Sequence, residues 1–174
     1  MSAYRAGRPS WADPDFRPFS DPLSNGFDPG ISEVINVHVG GGMGHGLLEL
    51  KEKHPGLAGK LVLQDLPEVI STVTGIEGAF EFMPHDFFTP QPVKDLKSTT
   101  KRGDFRVLIN EITVPSQNLT WPITSMDQLV FVFGAMRVRT EAHWRSIFET
   151  PGFKVVQIYS YELSSESLIE PELA

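Results

Sequence analysis

Val37–Gly46 reads Val-His-Val-Gly-Gly-Gly-Met-Gly-His-Gly, and the reading of this stretch decides the fold. Ile35, Val37 and Val39 are apolar and β-branched, the composition of a buried strand. Five glycines follow within seven residues, and Leu47, Leu48 and Leu50 then open a helical pattern. Strand, glycine turn and helix together bring backbone N–H groups and a helix N-terminus against a ligand without side-chain obstruction. Gly40, Gly42 and Gly44 make Gly-x-Gly-x-Gly, and no register of these glycines gives the Gly-x-Gly-x-x-Gly of dinucleotide enzymes. A bare glycine cluster also describes a mobile loop; the flanking strand and helix favour a nucleotide-type turn.

Working outward, Lys60–Gln64 is a second short strand that ends in Asp65-Leu66-Pro67, with Pro67 suited to the first turn of a helix through Ile70. Asp65 lies 21 residues beyond Gly44, where an acid accepts hydrogen bonds from the ribose of a nucleotide lying on the glycine turn. Its plainer role is a helix cap. Ala79–Met83 is a third strand, and Asp86, Phe87 and Phe88 follow its carboxyl end. Three successive strands thus deliver a glycine or polar feature to the sheet edge at which open α/β folds bind ligands.

The rest of the chain fits an α/β domain. Arg106–Val114 is a strong strand stopped by Pro115, and Ser116–Thr124 reads as a loop. Met126–Met136 has the content of a buried helix with Asp127 in its first turn, and Thr140 reads as the N-cap of a helix through Glu149. Phe153–Tyr161 reads as a strand and Leu168-Ile169 as a last edge strand. Residues 1–33 form an irregular arm in which Trp11, Phe16, Phe19 and Phe27 are candidate anchors, leaving 34–174 as the domain. His54-Pro55-Gly56 ends the first helix, with His54 exposed.

The composition, 40% hydrophobic and 21% charged over 174 residues, is that of one globular domain. A net charge of −7, with basic residues gathered only in Lys94–Arg102, disfavours nucleic-acid binding. Without cysteine, neither a disulfide framework nor a thiolate zinc site is available. No apolar leader or membrane-length run is present, and the simplest expectation is a cytoplasmic protein with no membrane partner.

Several motifs in order resemble one family. Val37–Gly44, Leu-Gln-Asp-Leu-Pro at 63–67 and Pro-His-Asp-Phe-Phe at 84–88 resemble the S-adenosylmethionine-binding motifs of small-molecule O-methyltransferases of fungal secondary metabolism. Leu-Ile-Asn-Glu at 108–111, Arg-Thr-Glu-Ala-His-Trp at 139–144 and Pro-Gly-Phe-Lys-Val-Val at 151–156 resemble its later motifs. The resemblance implies a Rossmann-like class I methyltransferase sheet with helices on both faces, and S-adenosyl-L-methionine as cofactor. It places Gly40, Gly41, Gly42 and Gly44 along the methionine and ribose portion, Asp65 on the ribose hydroxyls, Leu66 beside the adenine, and Asp86 and Phe87 against the adenine. The substrate it implies is a small natural-product hydroxyl, deprotonated by a histidine.

The departures bear on activity. His38 stands where the family carries an acid near the cationic methionine end. Between Lys94 and Gly103 the family has a further strand and a helix bearing Leu-His-Asp-Trp, a block that ten residues cannot supply. The sheet is therefore expected to be shortened by an internal βα segment, and the catalytic histidine to be missing. Glu111 matches one acid that flanks this histidine and is the one residual catalytic candidate, while Val138 replaces the other. His38, His45 and His85 fall near one sheet edge, but their separations match no ligand signature, and no metal site is expected. His45 and His85 read as parts of their motifs, and His143 as a surface or packing residue. Losing the internal strand either slides Arg106–Val114 across to Ile35–Val39 or leaves edges open, unless a partner chain pairs with them. A homodimer is one option, although the family's N-terminal dimerisation domain is expected to be absent.

Four readings follow: an O-methyltransferase with impaired methyl transfer; an isomerase or cyclase that keeps the pocket without methylating; a non-catalytic binding protein; or an incomplete gene model of a normal enzyme.

Overall fold

In the computed structural model the described residues are 9–16, 27–28, 30, 33–76, 78–93, 107–117, 121–134, 137–150, 152–160 and 166–173. The element order is β1 (Val34–Val39), α1 (His45–Lys53), β2 (Lys60–Asp65), α2 (Pro67–Ile70), β3 (Glu81–Pro84), β4 (Ile109–Val114), α3 (Trp121–Gly134), β5 (Arg139–Thr140), α4 (Glu141–Glu149), β6 (Phe153–Ser160) and β7 (Glu166–Leu173). These elements divide into two compact units, β1–β3 with α1 and α2, and β4–β7 with α3 and α4.

In the first unit the strands run parallel in the order β1-β2-β3, with His38 opposite Leu63, Val39 opposite Gln64 and Asp65 opposite Pro84. Leu61, Val62, Leu63 and Gln64 are all buried, as a central parallel strand covered on both faces requires. Helix α1 sinks Leu47 and Leu50 completely and ends with Lys51 and Lys53, whose charges complement the carbonyl end of the helix. Pro67 opens α2 at its first position, where its missing N–H has no partner to lose.

The lead-in is tied to α1. The Lys53 ammonium donates to Asp13 and, at 2.6 Å, to Glu49. Partial burial pulls its pKa down, but these two carboxylates outweigh it and the net shift is upward. His54, expected to be exposed, is half-buried, with Nε2 2.9 Å from the carbonyl oxygen of Ala12. Trp11 is buried, Phe16 half-buried, and the Phe27 ring covers Gly59; Phe19 lies outside the described residues.

In the second unit the strand order is β5-β4-β7-β6, and Trp144, Val155 and Ile169 form the core with Ile109, Phe148 and Ile158 packed around them. Thr140 caps α4 as expected, accepting from the His143 N–H at 3.3 Å. The Arg139 guanidinium lies 5.0 Å from the centre of the Trp144 ring.

Two readings need correction. Leu168-Ile169 is not an edge: β7 pairs with both β4 and β6, and Ser167, Leu168 and Ile169 are buried. Helix α3 begins at Trp121 inside the stretch read as a loop, because Pro122 falls in the first turn, where a proline breaks no helical hydrogen bond. Asp127 is consequently mid-helix, and its Oδ1 accepts from the Val138 N–H at 3.1 Å. Among the described residues β1 has a ladder with β2, and β4 with β5 and β7.

Candidate functional site

The glycine turn is shaped by its own backbone. Gly40, Gly42 and Gly44 have φ of 66°, 56° and 75°, the left-handed region that side chains disfavour. A Cβ on Gly40 or Gly42 would meet nothing within 4 Å, so these two present open backbone. Gly41 and Gly44 are glycine for the opposite reason: a Cβ there would stand 2.3 Å from Leu63 Cδ1 and 2.6 Å from Phe80 Cζ, respectively. Outward clearance thus alternates with inward packing along the turn.

The end of β2 organises the site. The main-chain oxygen of Gln64 accepts from Gly40 N–H at 2.8 Å and Gly41 N–H at 3.3 Å. Asp65 Oδ2 accepts from Gly42 N–H at 2.8 Å, Oδ1 accepts from Leu66 N–H at 2.8 Å, and the Asp65 carbonyl accepts from His85 N–H at 2.8 Å. Asp65 is thus joined by hydrogen bonds to the turns after β1 and after β3. The helix-cap reading is set aside, since Leu66 is the capping residue of α2 and contributes no side-chain bond.

Beyond β3, Asp86 Oδ1 accepts from Phe88 N–H at 2.9 Å and its carbonyl from Thr89, which fixes a tight turn. The Phe87 and Phe88 rings lie 4.5 Å apart and are 54% and 87% exposed. With Met43 and Leu66 they give this polar edge a set of exposed apolar surfaces. Gly40–Gly44, Asp65, Leu66, Asp86 and Phe87 therefore gather at the carboxyl ends of three adjacent strands.

The histidines at this edge take different places. His38 lies against Gly41, whose added Cβ would be 3.1 Å from its Cγ. His45 is exposed as the first residue of α1. His85 buries Nε2 without a hydrogen-bond partner among the described residues. Glu111 is exposed on β4 opposite Ser167 of β7, and His143 is exposed on α4. The segment 94–103, where the missing block was located, lies outside the described residues. A separate cavity of about 530 Å³, lined in part by Lys51, His54, Lys60 and Phe80, sits at the amino ends of β2 and β3 and contains none of the motif residues.

Sequence reasoning overlooked Gln64 and Gln91. Gln64 is fully buried, yet its amide is satisfied: Nε2 donates to Gln91 Oε1 at 2.7 Å, and Gln91 Nε2 donates back to Gln64 Oε1 at 2.8 Å. A glutamine closing the buried run Leu-Val-Leu-Gln was the available signal, because a buried amide needs a partner.

No protein-family model matches the chain. It is 41% identical to O-methyltransferase mpaG of Penicillium brevicompactum, over all of this chain and 50% of the relative. It is 33% identical to methyltransferase cfoC of Aspergillus candidus, over 98% of this chain and 48% of the relative. Among solved structures, LepI in complex with SAM superposes with a TM-score of 0.72 at 24% identity, covering 88% of this chain and 46% of LepI. OxaC in complex with SAH and oxaline superposes with a TM-score of 0.73 at 22% identity, covering 88% and 45%. These superpositions give the fold, an α/β arrangement like that of these neighbours and shorter than theirs. The chain spans about half the length of the curated relatives it matches. Over nearly its whole length it is similar to about half of each of these fungal O-methyltransferases.

Proposed function

We propose that this chain binds S-adenosyl-L-methionine across the glycine turn and that its methyl transfer to a small natural-product hydroxyl is impaired. One observation carries the binding half: Asp65 reaches Gly42 N–H while standing at the end of β2, so a carboxylate and an open glycine backbone face one ligand position. Gly40 and Gly42 leave clearance for the methionine and ribose portion, and Asp65 has remaining lone pairs for the ribose hydroxyls. Leu66 and Phe87 offer apolar faces for the adenine, and Asp86 an acceptor for its amine. The cofactor, when bound, supplies an electrophilic methyl group. The relative LepI is described in complex with SAM, and OxaC with SAH.

The impaired half rests on the sequence. No Leu-His-Asp-Trp occurs in the chain, so no histidine matches the family's proton acceptor. The alignment to the Penicillium relative runs over 199 positions against 174 residues here, so the relative carries residues that this chain lacks. Positioning alone can still accelerate a transfer, and Glu111 is the residual candidate base. A pocket that binds without methylating remains the second reading, favoured by the same missing histidine. A transcript with a block inserted between Lys94 and Gly103 would replace both by an ordinary methyltransferase.

Calorimetry with S-adenosylhomocysteine tests the binding half. Saturable binding below millimolar ligand is expected, weakened because His38 replaces an acid near the methionine end; no heat at millimolar ligand would sink the proposal. Glu111→Gln is expected to leave that affinity within about twofold, since Glu111 is exposed and is not among the residues proposed to hold the cofactor. Any turnover measured by transfer of labelled methyl should fall in the same variant.

A further inference from the structure

We propose that the reciprocal Gln64–Gln91 amide pair is the positioning device for Asp86–Phe88, and that it sets the site's selectivity for an adenine over other purines. The inference rests on the cofactor reading given above. The turn after β3 leaves the sheet at Pro84, carries Asp86, Phe87 and Phe88, and would otherwise be held at its start by His85 N–H on the Asp65 carbonyl. Gln91 holds its far end. The two amides exchange both hydrogen bonds, at 2.7 Å and 2.8 Å, and Gln64 Nε2 also lies 2.9 Å from Met83 Sδ. Val93 N–H donates to Gln91 Oε1 at 3.3 Å, so the chain beyond the pair is drawn into it.

The anchor is unusually firm because Gln64 is fully buried in β2 while Gln91 is exposed. An amide inside a core has a strong requirement for its partner, whereas an exposed amide alone would exchange readily with water. Burial of Gln64 therefore fixes where an otherwise surface residue sits. The same Gln64 accepts from Gly40 and Gly41 through its main-chain oxygen. One residue thus sets the glycine turn through its backbone and the aromatic turn through its side chain. Neither glutamine is assigned contact with a ligand; both act through the placement of Asp86 and Phe87.

The chemistry at stake is recognition of the purine edge. Asp86 Oδ1 is engaged by Phe88 N–H, which leaves Oδ2 as acceptor for an exocyclic amine. Hypoxanthine presents a carbonyl oxygen at that position and would face a carboxylate. Discrimination depends on where the carboxylate is held, whereas general affinity draws on the glycine turn and Asp65 as well.

The test compares S-adenosylhomocysteine with S-inosylhomocysteine by calorimetry on the full chain. The wild type should prefer the adenine compound by about tenfold or more, the scale of one charge-assisted hydrogen bond. Gln91→Ala should cut that preference to about twofold or less. Because Gln91→Ala strands a buried amide, the double variant Gln64→Met/Gln91→Ala fills the same volume without a polar group and should recover thermal stability while the preference stays lost. Retained preference in both variants overturns the proposal. So does an equal weakening of both compounds that the double variant repairs, which is the signature of a merely structural pair. A wild type that binds neither compound overturns the cofactor reading itself, and this inference with it.

Discussion

Asp65→Ala is expected to lower affinity for S-adenosylhomocysteine by at least about a hundredfold, the scale of losing two or more hydrogen bonds to a charged group. The side chain has two functions in one place. On the proposed reading it supplies the negative acceptor for ribose hydroxyls, and through Oδ2 it holds Gly42 N–H at 2.8 Å. Truncation removes the first and releases the second, so the turn loses its support as the ligand loses its partner. Asp65→Asn separates the two. An amide oxygen can keep one of the backbone N–H bonds, but the charge is gone, and an intermediate affinity is expected. Calorimetry on both variants decides the matter; affinity of Asp65→Ala equal to wild type would refute the site assignment.

Gly44→Ala is expected to destabilise the fold by about 2 to 4 kcal/mol, combining a left-handed backbone penalty with overpacking. Gly44 sits at φ 75° as the N-terminal cap of α1, and an added methyl would lie 2.6 Å from Phe80 Cζ and 3.2 Å from Leu63 Cδ2. Both neighbours are buried and Leu63 is in the central strand, so neither can retreat without opening the core. Gly40→Ala is the contrast: its backbone is similarly left-handed at φ 66°, but its Cβ meets nothing within 4 Å. Its stability loss should stay near 1 kcal/mol, from the backbone alone, while the methyl group projects into the open space assigned to ligand. Urea denaturation followed by circular dichroism measures both. A Gly44→Ala midpoint at or above that of Gly40→Ala would show that the Phe80 contact yields freely.

The first unit was legible because its signals are local. Ile35, Val37 and Val39, the glycines and Leu47–Leu50 specify β1, turn and α1 within one short stretch, and Pro67 marks its helix by the chemistry of a first turn. Thr140 was legible for the same reason: a hydroxyl three residues before an N–H it can satisfy is a sequence-level cap. What escaped depended on distant partners. The place of β7 between β4 and β6 follows from pairing Ile109 with Ile169, and no periodicity within Leu168-Ile169 carries that information. Pro122 by itself reads as part of a loop, although a proline near a helix start is compatible with the helix that forms. Asp65 was recognised for its position, but its bond to Gly42 joins residues 23 apart and is visible only once β1 and β2 are in register.

That bond also bears on the energetics of occupancy. With Gly42 N–H already resting on Asp65, the turn is ordered before any ligand arrives, and the conformational entropy of ordering it belongs to folding rather than to association. On the proposed reading, an arriving ribose shares the carboxylate's remaining lone pairs instead of competing for the whole group. Association at this turn is then a matter of desolvation and fit, with little of the free energy of binding diverted to arranging the backbone that receives the ligand.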